Sequence, residues 1–204
     1  MSLYSRHVFP HLLDWLMSQP AFTLAREELL AEVAGDVLEI GFGTGLNIDH
    51  YPDSVISLTT VDVNPGVHQL AKKRLEKARM PVKFALISGE NLPMPDASFD
   101  AVVSTWTLCS IPDVESALLE IRRVLKPEGR FYFVEHGLSP DSGTARWQHR
   151  LTPVQKIIAD GCHLNRDHLT LIANAGMTVI EKKQFLAQGL PAVGAFMTLG
   201  VATR

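Results

Sequence analysis

A glycine-rich turn after a buried strand constrains the fold of this chain more than any other stretch. The apolar run Val37–Ile40 predicts a short buried strand, and Gly41–Gly45 then carries three glycines at alternate positions. Glycines adopt the left-handed backbone of a tight turn and let the main chain approach a ligand closely. We expect a helix to begin within Leu46–His50, so that its free N–H groups face the same place.

The spacing of the glycines separates several kinds of nucleotide-type site. A dinucleotide fingerprint G-x-G-x-x-G would need glycine at position 46, where the chain has Leu46. The sequence has no G-x-x-x-x-G-K-[ST] phosphate loop here; it reads E-x-G-x-G-x-G from Glu39 to Gly45. This pattern resembles the first motif of the class I S-adenosylmethionine (SAM)-dependent methyltransferases. An ordinary glycine-rich turn is the alternative interpretation.

An acidic residue follows at the end of the next predicted strand. Val55–Asp62 reads as this strand, and Asp62 comes 17 residues after Gly45. A carboxylate there can accept hydrogen bonds from the 2′- and 3′-hydroxyls of a ribose. NAD would use the same acid, so Asp62 indicates a nucleoside without identifying it. A helix N-cap or a solvated strand end is the alternative.

The loop after the third predicted strand resembles the adenine-side loop of the same methyltransferases. The strand is Val82–Ile87, and Ser88-Gly89-Glu90-Asn91-Leu92-Pro93 follows it. The common family pattern has an acid where this chain has Ser88. The resemblance therefore implies backbone contacts to adenine at Gly89 and Glu90, with a weaker hydrogen bond at most from Ser88.

Two further predicted strands end at the edge of the sheet where open α/β folds bind ligands. Thr105 and Trp106 follow Phe99–Ser104, and His136 follows Phe131–Val134. Trp106 is as readily a core residue as a ligand contact. His136 is a candidate general base or substrate contact because an imidazole titrates near neutral pH, or else a structural histidine.

Two more stretches resemble this family. Leu118–Arg130 reads L-x-x-I-x-R-V-L-K-P-x-G-R, and we expect a helix that ends in a Pro-Gly turn over Lys126–Arg130. Asp160-Gly161-Cys162-x-Leu164-x-Arg166, with Glu135-His136 before it, looks like the thiol methyltransferases of animals. The general background is similar to the quinone-biosynthesis methyltransferases.

The resemblance implies a fold, a cofactor and a reaction. The fold is α/β and Rossmann-like, a mostly parallel seven-stranded sheet with an antiparallel final strand and helices on both faces. The reaction transfers the methyl group of SAM to a small, apolar acceptor, for which a thiol is the first candidate. The alternatives are a lipid amine or a quinone-type metabolite as acceptor, or a non-catalytic SAM- or nucleoside-binding protein. Base or positioning candidates are Asp160, His136 and His163. The cofactor-binding candidates are Glu39, Gly41, Phe42, Gly43, Gly45, Asn47, Asp62, Val63, Gly89, Glu90 and Thr105.

The chain reads as one domain of 204 residues. We expect N-terminal helices or a lid in 1–34, a SAM-binding core in 35–136, an acceptor-pocket insert in 137–176 and a closing hairpin in 177–204. A net charge of −3 argues against a nucleic-acid partner. Apolar runs are too short for an integral membrane segment, and the N-terminus lacks a signal-peptide core, so we expect a cytoplasmic protein.

A metal is not expected from the sequence. Cys162, His163 and His168 lie close together, but their spacing matches no zinc template. With two cysteines in the chain, a disulfide framework is not indicated either.

Overall fold

The fold is a central β-sheet with helices on both faces. A computed structural model describes residues 3–204, and across this range the sheet has seven strands in the order β3-β2-β1-β4-β5-β7-β6. The strands are β1 (Gly35–Ile40), β2 (Val55–Asp62), β3 (Val82–Leu86), β4 (Phe99–Thr105), β5 (Leu125–His136), β6 (Thr178–Leu186) and β7 (Phe196–Thr203). The helices are α1 (Leu3–His7), α2 (Phe9–Met17), α3 (Pro20–Leu30), α4 (Pro65–Leu75), α5 (Val114–Val124), α6 (Ser142–Ile158), α7 (His168–Asn174) and α8 (Ala192–Ala195).

The strand directions confirm the predicted fold class. Strands β1 to β5 run parallel, and β7 lies antiparallel between β5 and β6. The strand order reverses between β1 and β4, so the loops after these two strands open a crevice at the carboxyl edge, where ligands bind in open α/β sheets. The glycine turn lies in this crevice.

Alternation along the buried strands supplies the core on both faces of the sheet. Val37 packs with Leu29 and Leu30 of α3, whereas Leu38 packs with Leu118 of α5 on the opposite face. Successive side chains of a strand point to opposite faces, so β1 is apolar on both sides. The site at its end therefore rests on a strand that is buried on both faces.

The structure corrects two local predictions. The glycine turn is followed by a short 3-10 helix at Ile48–His50 and not by an α-helix, so the turn does not lead directly into an α-helix N-terminus. Lys126–Arg130, predicted as a turn, lies within β5 beside a register shift against β4.

Candidate active site

A cavity of about 220 Å³ lies at the carboxyl edge beside the glycine turn. Its wall includes the ends of β1, β2 and β4 and, from the other side, residues of α2 and α3. The predicted cofactor-binding residues that line it are Gly41, Phe42, Gly43, Asn47, Asp62, Val63, Gly89 and Thr105. Glu39, Gly45 and Glu90 lie outside this lining.

The backbone of the glycine turn requires glycine at its first two motif positions. Gly41 has φ +74°, and a Cβ there would meet the side chain of Thr107 at 2.1 Å. Gly43 has φ +55° and faces open space, since the nearest atom to a Cβ at this position would be the Gly41 carbonyl oxygen, 4.0 Å away. A side chain at Gly43 would therefore fill the cavity itself, which is the property expected where the main chain cradles a ligand.

Asp62 closes one end of this cradle. Its Oδ2 accepts a hydrogen bond from the Gly43 N–H at 2.8 Å, and its Oδ1 accepts one from the Asn64 N–H at 2.8 Å. Burial raises the pKa of this carboxyl, and the backbone donors at Asn64 and Gly43 oppose that rise. Each carboxylate oxygen has a second lone pair, so Asp62 retains capacity for two ligand hydroxyls.

Glu39 acts on the cavity through a neighbour. Its fully buried carboxyl accepts hydrogen bonds from Asn47 Nδ2 at 2.8 Å and from the Tyr51 hydroxyl at 2.8 Å. Burial raises the pKa of Glu39 to about 8, and both donors oppose that shift. Asn47 also donates to Thr105 Oγ1, and its own Oδ1 has no hydrogen-bond partner among the described residues. An unpaired acceptor therefore lies at the cavity wall.

The same wall contains a buried cation that no sequence motif indicates. Arg26 is 3% exposed, its guanidinium carbon lies 5.0 Å from the centroid of the Trp106 ring, and its Nη1 donates to the Met17 carbonyl. Its Nε has no partner within residues 3–204. Burial lowers the pKa of Arg26 to about 10, so it stays charged at neutral pH. Its spacing from Phe22 and Leu29 in α3 is the signal that could have placed it on the buried face.

The N-terminal helices cover the cavity. Asn64 Nδ2 donates to the Ser5 carbonyl at 2.9 Å, and the Ser5 hydroxyl donates to Asp160 Oδ2 at 2.7 Å. Further along, Asp14 of α2 accepts hydrogen bonds from the Thr44 hydroxyl at 2.6 Å and from Arg74 Nη1 at 2.8 Å. These contacts tie α1 and α2 to the glycine turn and to α4. The first two residues of the predicted lid lie outside the described range.

Of the predicted adenine-side residues in the loop after β3, Glu90 does not line the cavity. Ser88 and Gly89 line the cavity, and a Cβ on Gly89 would come within 2.8 Å of an Ile40 methyl group. The Glu90 carboxylate instead accepts hydrogen bonds from the Ser88 hydroxyl and from the Asp113 N–H, both at 2.7 Å. Glu90 thus fastens this loop to the start of α5.

A second cavity of about 390 Å³ adjoins the first. The two share wall residues that include Phe9, Met17 and Trp106. The lining of the second cavity is mostly apolar, with contributions from α2, the end of α6 and the segment before α8. Among its polar groups are Cys109, His136 and Cys162.

The three predicted base candidates lie in different places. His136 lines the second cavity, and its Nε2 is 3.0 Å from Cys162 Sγ. Burial opposes its charge, but the contacts with Cys162 and the nearby Glu135 outweigh burial and raise the pKa of His136. Asp160 lines the first cavity, with φ +47°. His163 lines neither; its Nδ1 lies 3.1 Å from the Cys109 carbonyl oxygen.

Comparison with known proteins identifies the class to which this architecture belongs. A methyltransferase-domain profile matches residues 38–133. A SAM-dependent methyltransferase structure from Thermotoga maritima superposes with a TM-score of 0.68 at 22% identity, over 98% of this chain and 97% of that one. The fold is therefore that of a Rossmann-like class I methyltransferase.

Several curated proteins of similar sequence are methyltransferases. Thiol S-methyltransferase TMT1B of Homo sapiens is 32% identical over 190 residues, which cover 86% of this chain and 78% of that protein. TMT1B of Rattus norvegicus is 40% identical over 149 residues, 71% of this chain and 61% of that protein, so the match spans less than two thirds of the rat enzyme. A demethylmenaquinone methyltransferase of Tropheryma whipplei is 32% identical over 109 residues, 53% of this chain and 45% of that protein. The chain belongs to the class I SAM-dependent methyltransferase family.

No helix within residues 3–204 is long and apolar enough to cross a membrane.

Proposed function

We propose that this protein transfers the methyl group of SAM to the sulfur of a small, apolar thiol. The observation that carries the proposal is the mostly apolar cavity of about 390 Å³ that shares a wall with the glycine-turn cavity. In such an arrangement, an acceptor in the second cavity lies next to a cofactor in the first cavity and is surrounded mostly by apolar side chains. The thiol S-methyltransferases among the relatives favour sulfur as the acceptor atom.

The residues of the first cavity fit SAM end to end. Asp62 suits the ribose hydroxyls, and Ser88 and Gly89 line the part of the same cavity where adenine would lie. The amino-acid end of SAM carries a carboxylate and an ammonium group. Arg26 offers an unpaired buried donor for the carboxylate, and Asn47 Oδ1 offers an unpaired acceptor for the ammonium. We assign this end of the cavity to the amino-acid part.

A ligand comparison tests the assignment of Arg26. Arg26→Met keeps the apolar packing of the side chain and removes the charge, so we expect at least a tenfold loss of SAM affinity. This loss corresponds to a charge-assisted hydrogen bond worth roughly 1.5–3 kcal/mol. Binding of 5′-methylthioadenosine should stay within about twofold, because this ligand lacks the amino-acid end and does not make that bond. Isothermal titration calorimetry with both ligands measures this. Equal losses for the two ligands would contradict the assignment.

The protein's part in the reaction is alignment and, for some acceptors, proton removal. SAM supplies an electrophilic methyl group on a sulfonium. The apolar walls hold the acceptor sulfur close to the first cavity and limit its orientations, which is the main source of rate in such a transfer. A thiol has an ordinary pKa of about 8.5, so modest assistance suffices to form the thiolate.

Asp160, His136 and His163 remain the candidates for that assistance. His136 and Asp160 line the two adjoining cavities, which supports them over His163. Single replacements Asp160→Asn, His136→Gln and His163→Gln, and the triple variant, should separate them by kcat with a thiol acceptor. Unchanged turnover in the triple variant would contradict this part of the proposal.

S-adenosylhomocysteine formation with purified protein tests the function itself. The panel holds small thiols, amines and phenols, with a no-acceptor control and SAM binding measured in the same sample. We expect acceptor-dependent product with thiols alone. Product with amines or phenols and none with thiols would overturn the sulfur assignment.

A quinone-type or lipid-amine acceptor is the second candidate. The demethylmenaquinone methyltransferase relative and the mostly apolar walls of the second cavity favour it. A hydroxylated quinol in the same assay would yield product if this candidate is right. Confirmed SAM binding without product from any acceptor would instead favour a non-catalytic SAM-binding protein.

A further inference from the structure

Three metal-ligating side chains meet in the wall of the second cavity. Cys109 follows β4, His136 ends β5, and Cys162 lies in the loop after α6. One ligand atom from each lies within 4.8 Å of the others, and His136 Nε2 is 3.0 Å from Cys162 Sγ. Ligand atoms around a tetrahedral zinc ion stand roughly 3–4 Å apart, since each lies about 2.0–2.3 Å from the metal. Small side-chain adjustments would therefore place all three around one ion.

Hydrogen bonds with two buried or half-buried side chains fix the backbone around Cys109. The buried Glu135 carboxylate accepts hydrogen bonds from the N–H groups of Thr107 and Leu108, each at 2.9 Å. Arg166 donates to the carbonyls of Leu108 and Ile111 on the same loop. Metal sites depend on such supporting contacts to fix the ligand atoms.

The two histidines that lie near Cys162 in the sequence support the proposed ligands and are not among them. The His163 N–H donates to the Cys109 carbonyl at 2.8 Å, and the His163 ring nitrogen Nδ1 lies 3.1 Å from the same oxygen. His168 Nε2 lies 3.0 Å from the His136 carbonyl oxygen. The metal-ligating side chains that lie close to Cys162 in the folded chain are therefore those of Cys109 and His136, and not those of its sequence neighbours His163 and His168.

We propose that Cys109, His136 and Cys162 form a binding site for Zn²⁺, with a fourth coordination position open to the apolar cavity. Two thiolates and an imidazole suit zinc and other soft or borderline ions. Two cysteines and one histidine with a free position is also a donor set of catalytic zinc sites. All three residues line the cavity, so the fourth ligand comes from within it.

A thiol is the ligand class that the fourth position selects. This step rests on the proposed function, because the cavity is then the acceptor site. If zinc held a hydroxide at the open position, that hydroxide would take the proton of the thiol S–H and leave as water, while the thiol sulfur formed a bond to the metal. The metal would thus supply the thiolate without a protein base, and His136 would serve as a ligand.

Cobalt substitution tests the site without any turnover. Reduced protein, kept under a phosphine reductant and without oxygen, is titrated with Co²⁺ alone. We expect one ion per chain, a thiolate-to-cobalt charge-transfer band in the near ultraviolet and the visible bands of a tetrahedral site, all displaced by Zn²⁺. Absence of the charge-transfer band in the reduced wild-type protein would overturn the proposal.

Variants separate the cluster from adventitious binding. Cys109→Ser and Cys162→Ser should each lose most of the charge-transfer intensity, and His136→Gln should weaken cobalt binding at least tenfold. His149→Gln is the matched control, because His149 is exposed in α6 and its ring contacts Asn165 and not the cluster. A full charge-transfer band in Cys162→Ser would overturn the assignment of Cys162 as a ligand. If a variant does not fold, the titration of the wild-type protein still tests the site.

Addition of a small thiol to the cobalt form tests the open position. A shift of the visible bands that saturates with the thiol supports it, and unchanged bands overturn it. Failure of the methyl-transfer panel alongside a normal cobalt spectrum would contradict the proposed function and leave the metal site standing. Product formation with no cobalt site would do the reverse.

Discussion

At the scale of single residues, Asp62 holds the glycine turn directly, because its Oδ2 accepts a hydrogen bond from the Gly43 N–H. The glycine spacing and the strand end predicted its position, and its carboxylate lies in the cradle beside Gly43. We predict that Asp62→Ala weakens SAM binding by about 1–3 kcal/mol, because charge-assisted bonds to the ribose are lost. Calorimetry on the folded variant measures the loss. Asp49→Ala, at an exposed acid in the neighbouring 3-10 helix, is the control and should bind normally.

Other site residues could not be predicted from their own neighbourhood in the sequence. Arg26 lies in a helix that precedes the glycine turn, and no motif marks it, although its spacing among apolar residues places it on the buried face. Glu39 belongs to the motif, but the structure gives it Asn47 and Tyr51 as partners. Motif residues are predicted by local spacing, whereas partners from distant segments depend on the packing of the whole chain.

At the scale of elements, the strands were predicted well and one helix was not. The strands are short apolar runs with clear breaks, and hydrophobic periodicity identifies them directly. After Gly45, however, the segment forms only a 3-10 turn, where Ile48 is buried beside Phe42. A segment of five residues is too short for hydrophobic periodicity to distinguish an α-helix from a 3-10 turn. The 3-10 turn follows directly on Asn47, which lies at the cavity wall.

Helix α2 provides an element-scale prediction, because one carboxylate ties it to the cofactor cradle. Asp14→Ala removes its bonds to Thr44 and Arg74. We expect SAM affinity to fall by about 1 kcal/mol, a modest value because the pair is partly exposed. Amide hydrogen exchange over Phe9–Met17 should also become faster. Loss of the exposed Arg79–Asp53 pair in Asp53→Ala is the matched control. Unchanged exchange in Asp14→Ala would contradict a cover role for α2.

At the scale of the whole molecule, the cavities are made by segments that only the fold brings together. Cys109 and Cys162 are far apart in sequence, yet both line the second cavity with His136. No spacing rule for metal ligands covers such a separation, so only the local group at Cys162 could be judged from the sequence. The same holds for the cover, where Ser5 reaches Asp160 across nearly the whole chain.

Two buried groups give the whole molecule opposite responses to pH. Burial raises the pKa of Glu39 from 4.5 to about 8, so the folded state holds a proton that the unfolded state loses. The stability from Glu39 is full below 4.5 and is lost as pH rises through about 8. Burial lowers the pKa of His168 from 6.5 to about 3, so here the unfolded state holds the extra proton. Its stability is full above 6.5 and is lost as pH falls through about 3.

The two responses oppose each other between pH 4.5 and 6.5 and act alone outside that window. We predict that, from pH 5 to 8, the wild type loses about 3–4 kcal/mol of unfolding free energy relative to Glu39→Gln, because the dependence of about 1.4 kcal/mol per pH unit flattens near each pKa. From pH 6.5 to 4 it should lose a similar ~3 kcal/mol relative to His168→Gln. Urea unfolding at each pH measures both differences, in which the other shifted carboxyls cancel. Parallel curves for the wild type and Glu39→Gln would mean that Glu39 is ionised in the folded protein, held by Asn47 and Tyr51 as an anion.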